Sequence, residues 1–417
     1  MKYLILSGDG MGDYPIESLG RRTPLQAASI PHINELSRQG LLGLVRTTPE
    51  GMVPGSDVTH LAILGFNPRE WAIARAPLEA ASLGILLNPA DVAYRCNLVT
   101  FRQQSRVLGR PSGDEFEKIG PGVTLEDYSA GHIQTEQARE LIHDLNDQMG
   151  TEAIQFYPGL SYRHLMIWIG GKVKVKCIPP HDMIGQKVVE CLPKGEGEQL
   201  LKEIIMAAAE ILSLHPINEE RRRGGLKPAN GIWLWGQGKP FKLPSFSKKY
   251  GLTGAMIAAV ELVKGLGSSV GLEVMEVPGA TGYLDTNYIG KAEAALKALE
   301  TKDLAFLHVE APDEASHEGN LEAKIRAIED LDGKVVATLM QGMDRFDELR
   351  MLLLCDHRTP VMLRSHTPDP VPFLIFEKSR GNKVKPSGKD YHEISAAEAG
   401  QVFSDGSQLM NYFLKGS

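Results

Sequence analysis

The chain has 417 residues, of which 42% are hydrophobic and 23% charged, and its net charge is −7 at pH 7. This composition is typical of a globular protein with one large or two ordinary domains, and the acidic balance argues against a nucleic-acid-binding protein. The four cysteines form no C-x-x-C pair, which argues against a disulfide framework or a zinc finger. Because no apolar run is long enough for a signal peptide or a membrane helix, we expect a cytoplasmic protein without a membrane partner.

Both ends of the chain alternate short apolar strands with helices. The N-terminal part predicts strands at 3–6 and 41–45, a helix at 31–38 and a helix from Ser56. The C-terminal part predicts strands at 231–235, 272–277, 304–309, 351–355 and 371–376, and helices at 253–266, 285–299 and 321–343. This alternation indicates an α/β fold with a mostly parallel sheet that helices cover on both faces.

The middle of the chain has a different character. It predicts a strand at 92–101, a helix at 134–148, a hairpin formed by 164–170 and 172–178, and a helix at 198–214. The charged run at 218–225 is interpreted as a solvated linker. We therefore predict a smaller inserted α+β domain at 90–226, between the two parts of a larger domain at 1–89 and 227–417.

Ser56 lies where a loop rich in glycine and proline becomes a helix. The apolar residues that follow it recur at helical spacing. The free N–H groups and the dipole of a helix N-terminus favour an anion such as a phosphoryl group. For an isolated serine, a helix N-cap is the simpler alternative.

Residues that commonly bind metal ions recur at the ends of several predicted strands. With Ser56 they form a set of seven: Asp9, Ser56, Asp313, His317, Asp356, His357 and His366. Carboxylate, hydroxyl and imidazole groups without thiolate favour Mn²⁺, Mg²⁺ or Zn²⁺. Seven ligands exceed one four-coordinate site, so the sequence predicts two divalent metal ions. A bound cation would lower the pKa of the Ser56 hydroxyl and make it a nucleophile without a neighbouring base.

The order of these motifs resembles that of a known enzyme superfamily. The motifs are Asp9-Gly10-Met11-Gly12-Asp13, Pro54-Gly55-Ser56-Asp57-Val58, Asp313-x-x-x-His317, Asp356-His357 and His366-x-x-x-Pro370-Val371-Pro372. They resemble the alkaline phosphatase superfamily, and more narrowly the archaeal-type, 2,3-bisphosphoglycerate-independent phosphoglycerate mutases. The resemblance runs nearly end to end and implies a phosphatase-like α/β domain interrupted by a smaller α+β domain.

The resemblance also implies roles for individual residues. Ser56 would take the phosphoryl group from 3-phosphoglycerate and return it to the other hydroxyl, which gives 2-phosphoglycerate. One metal ion would be held by Asp9, Ser56, Asp356 and His357, and the other by Asp313, His317 and His366. Mn²⁺ is the expected cation, with Mg²⁺, Zn²⁺ or Co²⁺ as alternatives. Lys264 corresponds to a lysine that larger cofactor-independent mutases place near the phosphoryl group.

The inserted domain would hold the glycerate half of the substrate during the transfer. Its candidate cations are Arg95 and Arg163, and its candidate polar groups are His132, His181 and Asp182.

Two other functions remain open from the sequence. Phosphoglycerate mutases of this type tend to have a lysine and a glycine before the aspartate of the D-x-x-x-H motif, where this chain has the run 308–312, HVEAP. A related bacterial branch, proposed to transfer phosphate to homoserine, also resembles this chain. A homoserine phosphotransferase or a phosphomonoesterase is therefore the alternative enzyme, and a non-catalytic metal-binding interaction protein is the alternative of another class. The sequence leaves the oligomeric state open.

Overall fold

The computed structural model describes residues 1–71, 74–103, 118–379 and 384–415. Contacts divide the chain into two compact units, a first unit of Met1–Ile73 with Lys242–Ser417 and a second unit of Ala74–Phe241. The strands are β1 Lys2–Gly8, β2 Leu41–Val45, β3 Val92–Gln103, β4 Val123–Asp127, β5 Ile154–Tyr157, β6 Arg163–Trp168, β7 Val175–Lys176, β8 Lys194–Gly195, β9 Gly231–Gly238, β10 Gly254–Ile257, β11 Glu273–Val274, β12 Leu304–Val309, β13 Leu349–Leu354, β14 Val371–Lys378 and β15 Gln401–Phe403.

Helices connect many of these strands. In chain order they are α1 Pro24–Ala27, α2 Pro31–Gln39, α3 Ser56–Ile63, α4 Arg75–Ser82, α5 Thr135–Met149, α6 Val188–Cys191, α7 Glu198–Ser213, α8 Pro216–Arg223, α9 Phe246–Tyr250, α10 Glu261–Ser269, α11 Tyr288–Thr301, α12 Ala311–His317, α13 Leu321–Asp330, α14 Ala337–Gly342, α15 Glu393–Glu398 and α16 Gly406–Lys415. Within the described ranges, no helix is long and apolar enough to cross a membrane.

The first unit is built on an eight-stranded sheet in the order β11-β10-β12-β1-β13-β14-β2-β15. Strand β14 runs antiparallel to both its neighbours, and the other pairs are parallel. Strands β12 and β13 are buried along their whole length, as expected for strands covered on both faces. The mostly parallel α/β sheet predicted from the sequence is confirmed. Because β12, β1 and β13 are adjacent and parallel, the loops that follow them meet at one edge of the sheet.

The second unit has an antiparallel sheet with helices, so the predicted α+β character is also confirmed. Its central strand is β3, whose N-terminal half pairs with β6 on one side and β9 on the other, while its C-terminal end pairs with β4. Helices α5 and α7 supply much of the apolar core beneath this sheet.

The boundaries between the units differ from the sequence prediction. The predicted boundaries were 89/90 and 226/227, which assigned the strand at 231–235 to the larger domain. In the structure, β9 pairs with β3, and α4 packs against both strands, so the second unit extends over Ala74–Phe241. A run of strand residues does not encode which sheet it joins, because the pairing partner lies more than 100 residues away.

Three further elements were predicted wrongly. The segment 253–266 is not one helix but contains β10 and most of α10, because pairing with β12 overrides the helix propensity of its alanines. The segments 164–170 and 172–178 form no hairpin, since β6 pairs with β5 and β3 while β7 pairs with β8. The charged run at 218–225 is largely helix α8, and its Arg221 is buried with hydrogen bonds to the carbonyl oxygens of Ala130 and Lys227.

The buried histidine of β6 generates a prediction about stability. His164 is 1% exposed, and burial lowers its pKa to about 3. Below about pH 6.5 the unfolded chain binds a proton that the folded chain rejects, so this group contributes stability above pH 6.5 that is lost as the pH falls. We expect it to lower the free energy of unfolding of the second unit by about 1.4 kcal/mol per pH unit between pH 6 and pH 4.

Urea unfolding followed by tryptophan fluorescence measures this effect, because the second unit contains Trp168, Trp233 and Trp235 among the four tryptophans of the chain. The substitution His164→Asn should flatten the pH dependence, and His143→Asn, at an exposed position of α5, should leave it unchanged. Identical pH slopes for wild type and His164→Asn would show that His164 does not cause the effect.

Candidate active site

Ser56 is the first residue of α3, and its hydroxyl faces other side chains. The N-cap residue is Gly55, so the N-cap alternative for Ser56 is wrong. Its Oγ lies 3.5 Å from Oδ2 of Asp9 and 3.4 Å from Nε2 of His357. The hydroxyl is thus directed at two of the predicted metal ligands.

Asp9, Asp356 and His357 form the first ligand group, and all three are fully buried. Nε2 of His357 lies 3.5 Å from Oδ1 of Asp9 and 3.1 Å from Oδ2 of Asp356. The carboxylate of Asp356 accepts hydrogen bonds from the Gly10 N–H at 3.2 Å and the Thr59 hydroxyl at 3.0 Å. The loop after β1 and helix α3 therefore both orient this carboxylate.

Asp313, His317 and His366 form the second ligand group. Asp313 and His317 are four residues apart on α12, which puts their side chains on one face of the helix. Nε2 of His317 lies 3.1 Å from Oδ2 of Asp313 and 2.9 Å from Nε2 of His366. Nε2 of His366 lies 3.5 Å from Oδ1 of Asp313.

The two groups are adjacent. The rings of His357 and His366 stack with their centroids 3.8 Å apart. Ligand atoms of Asp9, Asp313 and His357 lie within 4.8 Å of one another, so the seven predicted ligands form one continuous cluster.

The cluster fits divalent cations. Oδ1 of Asp9 is buried without a hydrogen-bond partner among the described residues, as expected of an atom reserved for a metal ion. Burial and the charges of Asp356 and Asp313 raise the pKa of Asp9 well above its usual value. Burial also raises the pKa of Asp313, but hydrogen bonds with His317 and His366 outweigh it and hold the pKa well below the usual value. Bound cations would relieve the repulsion between these buried carboxylates.

Sequence reasoning missed two buried histidines beside this cluster. Nε2 of His308 lies 2.8 Å from Oδ2 of Asp9, and Nδ1 of His60 lies 2.8 Å from the carbonyl oxygen of Ser56. The signals in the sequence were a polar residue inside the apolar strand β12 and a histidine four residues after Ser56 on α3. His308 is the first residue of the run 308–312 that precedes Asp313.

Lys264 lies on α10, a helix that packs against α3. Its ammonium is 3.0 Å from both carboxylate oxygens of Glu276 and 3.4 Å from Oε1 of Glu261. These contacts pair the ammonium with two carboxylates, and the predicted role of Lys264 near the phosphoryl group stays a prediction.

The five predicted substrate residues of the second unit lie along one series of aromatic contacts. The series consists of Arg95 over Trp235, Trp235 with His181, His181 with Tyr128, Tyr128 with Tyr162, and Tyr162 with both His132 and Arg163; Asp182 adjoins His181. Within it, Arg95 is buried and forms an ion pair with Glu79 at 2.9 Å. Arg163 is partly exposed, and its guanidinium carbon lies 4.5 Å from the centroid of the Tyr162 ring.

A serine and two groups of metal-type ligands at the carboxyl edge of a mostly parallel sheet define a class, the metal-dependent phosphotransfer enzymes. Residues 37–218 match the family model described as 2,3-bisphosphoglycerate-independent phosphoglycerate mutase. Over 414 residues the chain is 49% identical to a probable 2,3-bisphosphoglycerate-independent phosphoglycerate mutase of Geobacter sulfurreducens, covering 99% of this chain and 100% of the relative. It is 46% identical over 405 residues to the 2,3-bisphosphoglycerate-independent phosphoglycerate mutase of Methanosarcina acetivorans, covering 96% of each chain.

A solved structure has a similar fold. The PH0037 protein from Pyrococcus horikoshii superimposes with a TM-score of 0.79 at 28% identity, over 99% of this chain and 96% of that one. The chain belongs to the family of 2,3-bisphosphoglycerate-independent phosphoglycerate mutases, which are isomerases. The resemblance stated from the sequence motifs is thereby confirmed.

The two ligand groups generate a prediction about metal content. We expect the protein to bind two equivalents of Mn²⁺ after dialysis against the metal, measured by elemental analysis. His366→Ala should lose one equivalent, because it removes one of the three ligands of the second group and leaves the first group intact. His143→Ala, on the exposed face of α5, is the matched control and should retain both equivalents. A wild-type content of one or none at saturating metal would contradict the two-site assignment.

Proposed function

We propose that this protein interconverts 3-phosphoglycerate and 2-phosphoglycerate through a phosphoserine formed at Ser56. The observation that carries the proposal is the position of the Ser56 hydroxyl, within 3.5 Å of both Asp9 and His357 at the start of α3. The N-terminal N–H groups and the dipole of α3 favour the negative charge of a phosphoryl group at this place.

Two divalent cations would bind the two ligand groups. The first would be held by Asp9, Asp356 and His357 with Ser56, and the second by Asp313, His317 and His366. Bound cations would lower the pKa of the Ser56 hydroxyl and stabilise the charge on the transferred phosphoryl group. Oxygen and nitrogen donors suit Mn²⁺, our first choice, and also Mg²⁺, Co²⁺ and Zn²⁺.

The transfer consists of two displacements at phosphorus. In the first, Oγ of Ser56 bonds to phosphorus while the bond from phosphorus to the 3-oxygen of the substrate breaks, and the serine proton ends on that 3-oxygen. In the second, the 2-oxygen of the glycerate bonds to phosphorus while the bond from phosphorus to Oγ of Ser56 breaks, and the proton of the 2-hydroxyl returns to Ser56. No water is consumed, so the glycerate must be retained between the two steps.

Retention requires a group that binds the glycerate carboxylate. Arginine suits this role because its planar guanidinium makes two parallel hydrogen bonds to a carboxylate. Of the two predicted arginines, Arg95 is buried against Glu79, whereas Arg163 is partly exposed and lies over the ring of Tyr162. Because a substrate can reach only an accessible guanidinium, we assign the carboxylate to Arg163, with His132, His181 and Asp182 as neighbouring polar groups.

Ser56→Ala tests the nucleophile. Because Ser56 does not cap its helix, the variant should keep the unfolding midpoint of the wild type, while conversion of 3-phosphoglycerate with Mn²⁺ should fall by at least about 10⁴-fold. The measurement is a coupled assay for 2-phosphoglycerate, with mass spectrometry of wild type for phosphate on Ser56.

Ser269→Ala is the matched control, since it removes a serine hydroxyl that donates to a carbonyl oxygen within α10. Near-normal turnover in Ser56→Ala would remove Ser56 as nucleophile. A wild type that phosphorylates homoserine, or releases only free phosphate from 3-phosphoglycerate, would replace the mutase proposal with one of those activities.

Arg163→Ala tests retention of the glycerate. Losing the guanidinium should reduce mutase activity by about 10- to 100-fold. This is the effect expected when a hydrogen bond to a charged group, which contributes about 1.5–3 kcal/mol, is lost. Release of free phosphate, measured on the same preparation, should fall less or rise, because water can then react with the phosphoserine. Arg139→Ala, at an exposed site on α5, should change neither rate. An equal fall in both rates would exclude the assignment.

A further inference from the structure

Thr359 connects the two ligand groups through one hydroxyl. It is fully buried in the loop after β13, two residues beyond His357. Its Oγ1 lies 2.5 Å from Oδ1 of Asp313 in the second group and 3.1 Å from Nδ1 of His357 in the first group.

The direction of these two hydrogen bonds follows from their lengths. A hydroxyl has one proton to donate, and 2.5 Å is the length of a bond from a hydroxyl to a carboxylate. A carboxylate that binds a cation is deprotonated and can only accept. The proton of Thr359 therefore points to Asp313, and its oxygen is left to accept a proton from Nδ1 of His357.

This arrangement determines which nitrogen of His357 is available to a metal ion. An imidazole that binds a metal ion is neutral and carries one N–H. If Nδ1 holds that proton, the lone pair is on Nε2. Nε2 lies 3.1 Å from Oδ2 of Asp356, 3.4 Å from the Ser56 hydroxyl and 3.5 Å from Oδ1 of Asp9. A lone pair there faces the oxygens of the first ligand group, including Oδ1 of Asp9, which has no hydrogen-bond partner among the described residues.

The backbone of Thr359 is fixed by a buried lysine. The ammonium of Lys324 donates to the carbonyl oxygens of Thr359 at 2.9 Å and Gly12 at 3.2 Å, and to Oδ2 of Asp13 at 2.9 Å. Three acceptors match the three N–H donors of an ammonium. The N–H of Thr359 also donates to the carbonyl oxygen of Gly12 at 3.1 Å, so the loop after β1 holds Thr359 in place.

Gly10, in the loop after β1, has no side chain and so leaves room for the Thr359 hydroxyl. A Cβ at this position would lie 2.6 Å from Oδ1 of Asp313 and 2.7 Å from Oγ1 of Thr359, and the backbone has a φ of +63°. Only glycine meets both requirements without strain.

We propose that Thr359 is a positioning residue that orients one ligand of each metal group, by holding Asp313 as an acceptor and His357 as its Nδ1–H tautomer. This proposal shares one assumption with the proposed function, namely that the two ligand groups bind divalent cations. It predicts that loss of this hydroxyl weakens both sites together, whereas loss of a single ligand acts on one.

The first test measures the tautomer directly. Metal-free wild-type protein labelled with ¹⁵N-histidine is examined at pH 7.5 by two-bond ¹H–¹⁵N correlation, and the signal of His357 is assigned by its disappearance in His357→Gln. We expect the pattern of a ring protonated at Nδ1. A ring protonated at Nε2 in the wild type would overturn the inference, and this result does not require any Thr359 variant to fold.

The second test measures cation affinity by Mn²⁺ titration calorimetry. Thr359→Val should weaken both sites by about 10- to 100-fold, as found for outer partners of metal ligands. Thr359→Ser keeps the hydroxyl and should remain within about threefold of wild type. Thr100→Val is the matched control, because it removes a buried hydroxyl that donates at 2.8 Å to the carbonyl oxygen of Pro228 in the second unit.

The outcomes separate this inference from the proposed function. Two unchanged affinities in Thr359→Val, or the weakening of one site alone, would overturn the role of Thr359 even in an active mutase. A wild type with the expected tautomer and the expected loss of affinity, but without mutase activity, would contradict the proposed function and leave the role of Thr359 intact.

Discussion

Repulsion among buried carboxylates is the constraint on which the first unit depends. Asp9 and Asp356 are fully buried and Asp313 is 4% exposed, all within one cluster. Removing ionised groups from water costs several kcal/mol each unless partners compensate. The chain compensates in part with the N–H of Gly10, the hydroxyl of Thr59 and nearby imidazoles. In our proposal, divalent cations supply the remaining compensation. The same buried carboxylates therefore affect both the stability of the first unit and its function.

The scaffold holds these charges together by simple means. Strand β1 lies between β12 and β13, so three loops that begin at neighbouring strand ends carry ligands to one place. Helix α12 adds a second ligand one turn further on, and α3 presents Ser56 from the side. Hydrogen bonds from the buried Lys324 join the loops after β1 and β13, which limits their movement relative to each other.

The sequence predicted the ligands better than it predicted their surroundings. Asp9, Asp356 and His357 could be recognised because metal-type side chains recur at the ends of several predicted strands, and the set is more informative than any one member. His308 could not, since a single histidine within a strand has no spacing that distinguishes a partner of Asp9 from an ordinary core residue. The strand at 231–235 was recognised as a strand but assigned to the wrong sheet, because its pairing with β3 depends on contacts distant in sequence. The arginines of the second unit show a similar limit: their residue type suggested a carboxylate ligand, but only the structure shows that Arg95 already has Glu79 as a partner.

The division of the chain into units also has a consequence for biosynthesis. Strand β1 lies in the middle of its sheet, but its partners β12 and β13 begin about 300 and about 350 residues later, at Leu304 and Leu349. The second unit is continuous in sequence, so it can fold on the ribosome while the edges of β1 remain unpaired. An apolar strand with open edges is prone to pair with other chains. Synthesis of this protein therefore passes through a long interval in which β1, the strand that ends just before Asp9, is exposed to pairing with other chains.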